Sequence, residues 1–553
     1  MQAILDIPLT LLSGTILDLA RTPAQPQRYR LIDCARLTQD RTLCLYETSE
    51  FPDVPYSALS YVWQGNGDDP YAMGSHLRRD RSRPFREVFL EYGSFNVAGA
   101  EGSDPISIDL LLHASTVALH LHSGLVWLDR LCILQTSKED KAWQISRMYQ
   151  IYRDCRQCIV LPGGIRRLVY LNEETAWIHR AWTLQEVLAP KEALVLFAWT
   201  LGAGEMLCGD EHGRIEDAVP GQSATAEASR IVDACNLGYM EFRSDGGEGW
   251  RRIGTRILGR ASPGLAALGV AMSAVLSADP DTRGHAIWKS ALMRTSSRPV
   301  DMVFSIMGLF GVSLDPGRFG KDDRLHATVR LAQEILRSGG RATWLGVSLR
   351  LPPCPQLGTF PVFPQTSVGG KALVEIAERT WEVEDLMDSE YPNTYFVSMP
   401  SGSMDDSGCL RITAKAVCAI PVGAHAQDST DATQDAPAAV LAKDQNDMTW
   451  SVGTTPGSEY TGRRAYAVAL GWFCKYYPGA TLAANTQNFR LMVLEEGMPD
   501  QFWVKSYIEL EFRHRSWIKS WKEHTFNISC DVAGVSGEID DAADLRKIER
   551  ATD

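Results

Sequence analysis

The chain lacks an apolar stretch long enough to cross a membrane. Its longest weakly polar run, Gly264 to Ala278, has about 15 residues, whereas a membrane-spanning helix needs about 20. We therefore predict a buried helix there. The first twenty residues are apolar, but they have no basic lead-in and carry Asp6 and Asp18, so we expect no signal peptide. The sequence thus predicts a cytoplasmic protein with no membrane partner.

Basic residues are also too few for a general nucleic-acid binder. The chain has 55 Lys and Arg against 68 Asp and Glu, which gives a formal net charge of -13. Because phosphate binding relies on a positive surface, we expect no nucleic-acid partner. One polar loop is a local exception, and it contains Arg78, Arg79, Arg81, Arg83 and Arg86. This loop is either a solvated insertion or a site for a phosphate-bearing ligand or partner.

Paired cysteines at zinc spacing are missing, and so are the common catalytic motifs. The 12 cysteines are scattered through mostly apolar contexts, which is typical of reduced, buried thiols. Cys155 and Cys158 form a single C-x-x-C with no second pair, which disfavours a metal or redox centre. The chain has no G-x-S-x-G, H-E-x-x-H or G-x-G-x-x-G motif. We therefore expect no metal and no required cofactor.

The first 200 residues alternate between strand-like and helix-like segments. Four buried strands are predicted at Tyr56 to Trp63, Leu125 to Leu131, Gln157 to Leu161 and Ala193 to Ala198. Helices are predicted between them at Ile106 to Leu121, after a cap at Thr136 or Ser137, and at Thr175 to Leu188. Strands that alternate with helices of this length imply parallel crossovers. The predicted fold class is therefore α/β, with a sheet covered on both faces.

At 553 residues the chain is too long for one core, and we expect several domains. The predicted segments are a strand-rich N-terminal extension packed on the next domain (1–50), an α/β domain (51–200), a mainly helical region (201–347), a β-rich region (348–527) and an acidic tail (528–553). Within the β-rich region, residues 425–447 are small, polar and acidic, so we predict a mobile loop there.

Three short blocks in the first third end in residues that a plain core does not need. The first block runs from Tyr56 to Trp63, the second contains Asp129 and Arg130, and the third runs from Arg180 to Glu186. Side chains at the ends of buried elements can converge on one cleft. We therefore expect the polar ends of the three blocks to meet at one edge of the sheet.

The blocks resemble the HET (heterokaryon incompatibility) domain of fungal proteins. Tyr56 to Gly65 resembles the family's Tyr-x-Ala-Leu-Ser-Tyr-x-Trp-Gly element, with Gln64 inserted before the glycine. The later family elements are matched by Trp127, Asp129, Cys132, Ile133 and Gln135, by Met148, Ile151 and Tyr152, and by Arg180, Trp182, Thr183, Gln185 and Glu186. The stretch from Arg294 to Gly308 also looks like a segment common in such proteins.

Two positions depart from the family pattern. Leu134 stands where the family usually has Asn, and Thr136 and Ser137 stand where acidic residues are frequent. The amide side chain that could contact a ligand at position 134 is therefore absent. This departure weakens any transfer of polar chemistry from that loop.

The resemblance implies a TIR-like domain over residues 51–200, that is, a flavodoxin-like parallel sheet flanked by helices. A helical region and a β-rich C-terminal region are expected to follow it. The resemblance also implies self/non-self recognition signalling that leads to growth arrest or cell death. Protein partners and self-association through the HET domain are expected on the same ground.

Some TIR domains cleave NAD+ with a glutamate that follows a tryptophan by four residues, and Trp182 and Glu186 have this spacing. A fixed carboxylate can stabilise the positive charge that builds on the ribose as the nicotinamide bond breaks. The resemblance therefore implies Glu186 as the catalytic residue and NAD+ as a substrate. The candidate ligand-binding residues are Trp63, Asp129, Arg130, Arg180 and Trp182.

These residues also have structural explanations. The spacing of Trp182 suits a core residue, Asp129 suits a cap after its strand, and Glu186 suits an ion pair with an arginine. Three hypotheses therefore stay open. The chain is a signalling and assembly protein, an NAD+ or nucleotide glycohydrolase that acts through Glu186, or a diverged HET-like protein with a biosynthetic or housekeeping role.

Overall fold

The computed structural model describes residues 1–66, 92–273, 275–395, 397–422, 439–454, 462–476 and 487–530. Within these residues the chain forms two compact units. The first contains Met1–Leu331 together with the later segment Pro364–Asp385 and Tyr476, and the second contains the rest of the described chain. The finer division into five segments stays a prediction.

A mixed sheet of 12 strands organises the first unit. Its centre consists of four parallel strands: β1 Tyr56–Tyr61, β2 Leu125–Trp127, β3 Gln157–Leu161 and β4 Ala193–Ala198. They lie in the spatial order β2-β1-β3-β4, and every pairing among them is parallel. These strands are almost wholly buried, as expected when both faces of a sheet are covered. The predicted parallel strands are confirmed, although β2 ends earlier than predicted.

Antiparallel strands extend this centre on both sides. Outward from β2 lie Tyr29–Asp33, Thr42–Thr48 and Gln2–Pro8; outward from β4 lie Ser223–Glu227, Glu211–Val219, Gly204–Cys208, Tyr239–Ser244 and Arg251–Gly254. The prediction of a mainly helical region from residue 201 is therefore wrong up to residue 254. Gly204–Cys208 alternates buried residues with more exposed ones, a period of two that marks a strand with one covered face. The sheet is accordingly mixed rather than wholly parallel.

Four helices belong to the connections of the parallel centre: α1 Ile108–His120, α2 Asp129–Cys132, α3 Lys138–Asp154 and α4 Ala181–Leu188. Ser137 caps α3, because its hydroxyl accepts the Asp140 amide, and the predicted cap is confirmed. The α4 helix starts later than predicted. A short 3-10 turn at Trp177–His179 precedes it, and Arg180 is extended because it pairs with Thr295 in an isolated parallel bridge.

Three further helices lie between strands of the sheet in sequence: Leu9–Leu12, Cys34–Thr38 and Ala228–Leu237. Pro263–Met272, Pro280–Leu292 and Asp301–Met307 follow the sheet, and Arg324–Arg337 continues into the second unit. Pro263–Met272 is mostly buried, which confirms the first part of the buried helix predicted over Gly264 to Ala278, whereas Leu276–Ala278 is a 3-10 turn with no buried residue. Among the described residues, no helix is both long enough and apolar enough to cross a membrane.

The second unit is built on a nine-stranded, mostly antiparallel sheet, and the predicted β-rich C-terminal region is confirmed. Its strands are Glu390–Asn393, Ser401–Met404, Leu410–Pro421, Val440–Lys443, Thr449–Val452, Ala465–Lys475, Gln487–Met498, Gln501–Glu511 and Glu523–Ile528. The predicted loop 425–447 is wrong at Val440–Lys443, which pairs with Thr449–Val452 across a turn capped by Asp444. Residues 425–438 of that loop and 531–553 of the acidic tail lie outside the described residues.

Candidate functional site

The carboxyl ends of β1 and β2 bring the first two sequence blocks together around Asp129. The Tyr61 hydroxyl donates to one Asp129 carboxylate oxygen at 2.5 Å, and Trp63 Nε1 donates to the other at 3.0 Å. The backbone N–H of Arg130 also donates to Asp129, at 2.6 Å. Withdrawal from water raises the pKa of Asp129 although all three donors oppose that shift. Trp63 and Asp129 therefore lie together, as predicted, but they bind each other.

The α4 helix directs Glu186 onto β1. The Ser60 hydroxyl lies 2.5 Å from Glu186 Oε2, and Trp177 Nε1 donates to the same hydroxyl oxygen at 2.9 Å. Glu186 is only 7% exposed. Burial raises the pKa of Glu186 to about 8, and the nearby Asp129 carboxylate adds to the shift. Burial therefore favours the neutral acid form of Glu186 over the carboxylate near pH 7.

A buried arginine that was not among the predicted site residues lies beside this acid. Arg294 Nη1 donates to the Arg180 carbonyl oxygen at 2.9 Å and to Thr183 Oγ1 at 2.7 Å. Burial lowers the pKa of Arg294 to about 9, and Glu186 partly offsets the shift. The sequence carried a signal for this residue, because Arg294 opens the downstream stretch that resembles other HET proteins.

The other predicted ligand residues have separate partners. The Arg180 guanidinium donates to the backbone carbonyl of Val368, and Trp182 Nε1 donates to Asp301 at 3.4 Å. The Arg130 guanidinium is buried and donates to the backbone carbonyl of Asp104. The structure therefore pairs Trp63 with Asp129, places Glu186 against Ser60, and leaves Arg180 and Trp182 at the start of α4 with partners of their own.

A comparison with known families identifies the domain that contains these strands and residues. Residues 56–167 match the family described as Heterokaryon incompatibility protein (HET). The chain carries a HET domain. The match takes in β1 to β3 and the residues around Asp129, and it ends before α4 and Glu186. A search of curated proteins and a search of solved structures found no match.

Inside the HET domain, the departure at position 134 has a clear structural consequence. The Leu134 side chain is buried, and its backbone amide donates to Asp140 Oδ2 at 2.8 Å. A core contact therefore stands where the family usually has a polar side chain.

Cys155 and Cys158 are buried free thiols, and burial raises the pKa of Cys155 to about 12.

No group of metal-binding side chains is found in the part of the chain that the structure describes. The five arginines between Arg78 and Arg86 lie outside the described residues.

In the HET domain, the backbone just after β1 lies very close to the backbone after β3. A Cβ atom added to Gly65 would lie 2.0 Å from the Gly163 carbonyl oxygen. We predict that Gly65→Ala lowers the free energy of unfolding by about 2–3 kcal/mol, because the backbone of one loop must shift. Gly102→Ala is the control, since its added Cβ meets nothing within 4 Å. Urea denaturation followed by circular dichroism measures both, and equal midpoints would contradict the prediction.

Proposed function

We propose that this HET domain protein acts in self/non-self recognition, and that its activation leads to growth arrest or cell death. The observation that carries the proposal is the family match over residues 56–167. On this view the HET domain works through contacts between protein copies. Bringing copies together raises their effective concentration, which can switch weak contacts on.

The proposal includes a TIR-like arrangement of the parallel strands. The spatial order β2-β1-β3-β4 supports it, because flavodoxin-like sheets have the order 2-1-3-4-5. Ligands of such sheets bind outside the carboxyl ends of the strands, at the switch point between β1 and β3. Here Gly65, after β1, packs directly against Gly163 and Gly164, after β3. This close packing favours a protein-contact role over small-molecule binding.

NAD+ or nucleotide glycohydrolysis through Glu186 is the second candidate. The position of Glu186 favours it, because α4 holds this side chain against Ser60 near the carboxyl end of β1, with Asp129 and Arg294 nearby. The raised pKa of Glu186 weighs against it, because burial favours the neutral acid over the carboxylate whose negative charge an electron-poor ribose needs. We therefore place assembly before catalysis.

The test uses the full chain, expressed at high level from an inducible promoter in a fungal host. We expect growth arrest with the cellular NAD+ level unchanged. We also expect the purified chain to self-associate in a concentration-dependent way, measured by light scattering.

Two other outcomes would contradict the assembly proposal. Loss of NAD+ that disappears in a Glu186→Gln variant would support the glycohydrolase instead. Absence of both growth arrest and self-association would favour a diverged HET-like protein with a biosynthetic or housekeeping role.

A further inference from the structure

A loop from later in the chain lies on the start of α4. This loop, Thr366–Gly370, is called the strap below. It belongs to the segment Pro364–Asp385, which is part of the first unit although the chain on either side of that segment belongs to the second. The strap therefore contacts the candidate site and is covalently continuous with the second unit.

The strap is bound to Arg180, which leads into α4, and to Thr295, which pairs with Arg180 in the isolated bridge. The Val368 carbonyl accepts the Arg180 guanidinium, and the Ser367 amide donates to Thr295 Oγ1 at 2.8 Å. Thr295 Oγ1 also lies 3.2 Å from Ser367 Oγ. Thr295 in turn accepts the Ala181 amide with its carbonyl at 2.9 Å. Thr295 thus links the strap, through its hydroxyl, to the residue that starts the helix, through its backbone carbonyl.

Packed side chains anchor the base of the segment, whereas hydrogen bonds hold the tip of the strap. At the base, Arg324 Nη1 donates to the Pro364 carbonyl at 2.8 Å, and Val374 and Val383 are buried. At the tip, Val368 is 55% exposed, and Gly369 is exposed as well. Because hydrogen bonds rather than packed side chains hold the tip, it can open locally while the base stays in place.

The contact with Arg180 leaves this cation poorly compensated. Burial lowers the pKa of Arg180, and its hydrogen bond goes to the neutral Val368 carbonyl. Glu186 and Asp301 offset only part of the cost of burial. A guanidinium gains more from a carboxylate, which it can bind with two parallel hydrogen bonds. Release of the strap would free Arg180 for such a partner.

We propose that the strap holds the start of α4 in a resting state, and that its release lets Arg180 bind a carboxylate on a second copy of the chain. The net charge of -13 makes such carboxylates abundant on that copy. This inference rests on the proposed function, because it describes what restrains self-association.

Thr295→Val is the release variant, since it removes the hydroxyl that binds Ser367 and keeps the shape of the side chain. Thr175→Val is the matched control, because the Thr175 hydroxyl is also buried but donates to the Ile257 carbonyl, at 2.7 Å. Hydrogen–deuterium exchange of the full chain measures the opening. We expect the Ser367 amide to exchange on the order of tenfold faster in Thr295→Val and at the wild-type rate in the control.

A variant in which a disulfide holds the strap closed tests the opposite change. Thr295→Cys combined with Ser367→Cys places two thiols where the hydroxyl oxygens are 3.2 Å apart, within reach of a disulfide. Glutathione disulfide oxidises the two thiols to the bond and is itself reduced to two glutathione molecules. We expect the locked chain to stay monomeric at concentrations where Thr295→Val self-associates, and reduction to restore association.

The outcomes separate the strap from the proposed function. Unchanged exchange in Thr295→Val, or a locked chain that associates as readily as its reduced form, would overturn the strap even if wild-type chain arrests growth. Faster exchange and stronger association in Thr295→Val would support the strap even if no variant arrests growth, in which case the signalling function is wrong.

Discussion

Glu186→Gln gains stability relative to wild type by about 1 kcal/mol per pH unit as the pH rises from 5 to 8. The folded-state pKa of Glu186 is about 8, against an ordinary value of 4.5. Between these values the folded chain keeps the proton that the unfolded chain releases. The stability that protonated Glu186 contributes is therefore complete below about pH 4.5 and is lost as the pH rises through about 8. Glutamine mimics the neutral acid and does not titrate.

Urea unfolding of both chains from pH 5.5 to 8.5 measures this difference. Glu216→Gln is the control, because the Glu216 side chain is 59% exposed on the surface. A pH-independent difference for Glu186→Gln would mean that the folded chain holds a carboxylate at neutral pH. That result would revive the catalytic interpretation of Glu186, so the titration also separates the two leading functions.

Arg30→Met lowers the free energy of unfolding by about 3–5 kcal/mol, the cost of removing one partner from a buried ion pair. Arg30 and Asp140 are both 0% exposed, and Arg30 Nη1 lies 3.0 Å from Asp140 Oδ2. Arg30 also pairs with Glu47 at 2.9 Å and donates to the Cys132 carbonyl at 3.0 Å. Methionine fills part of the space but leaves the Asp140 carboxylate buried without its cation.

The control is Arg214→Met, which removes a surface ion pair. The Arg214 side chain is 45% exposed and lies 2.6 Å from Asp245. Water and salt screen such a pair, so its loss changes stability little. Denaturant midpoints of the full chain compare the two variants. If Arg30→Met is no more destabilising than Arg214→Met, the buried pair does not help to hold the amino-terminal strands to α3.

The parallel strands were predictable because each is a short apolar run, and the segments between these runs have the periodicity of helices. Ser137 was predictable as a cap because a side-chain oxygen before a helix satisfies a free amide of the first turn. The antiparallel strands from Gly204 to Gly254 were missed because apolar and polar residues alternate only weakly in their sequence; in Gly204–Cys208, for example, the apolar Leu207 takes a less buried position. The strand Val440–Lys443 was missed because the sequence around it is polar and acidic, a composition typical of a loop. The contacts by which Asp444 stabilises the turn after this strand cannot be read from composition.

The candidate site was predictable only in part. The order of the motifs predicted that Trp63 and Asp129 lie at the same edge of the sheet, since the carboxyl ends of parallel strands meet there. The distinct partners of Arg180 and Trp182 could not be predicted, because Val368 and Asp301 lie far along the chain.

By itself, the amino-acid sequence determined the four central strands, their helical connections and the HET domain, since apolar runs, caps and motif spacing act over short stretches of chain. Only the tertiary structure decided that burial raises the pKa of Glu186, that Arg294 lies near it and that a later loop contacts the start of α4. The physical reason is that a side chain's charge depends on its burial and neighbours. For Glu186 the hydrogen-bond partner is Ser60, 126 positions earlier in the chain.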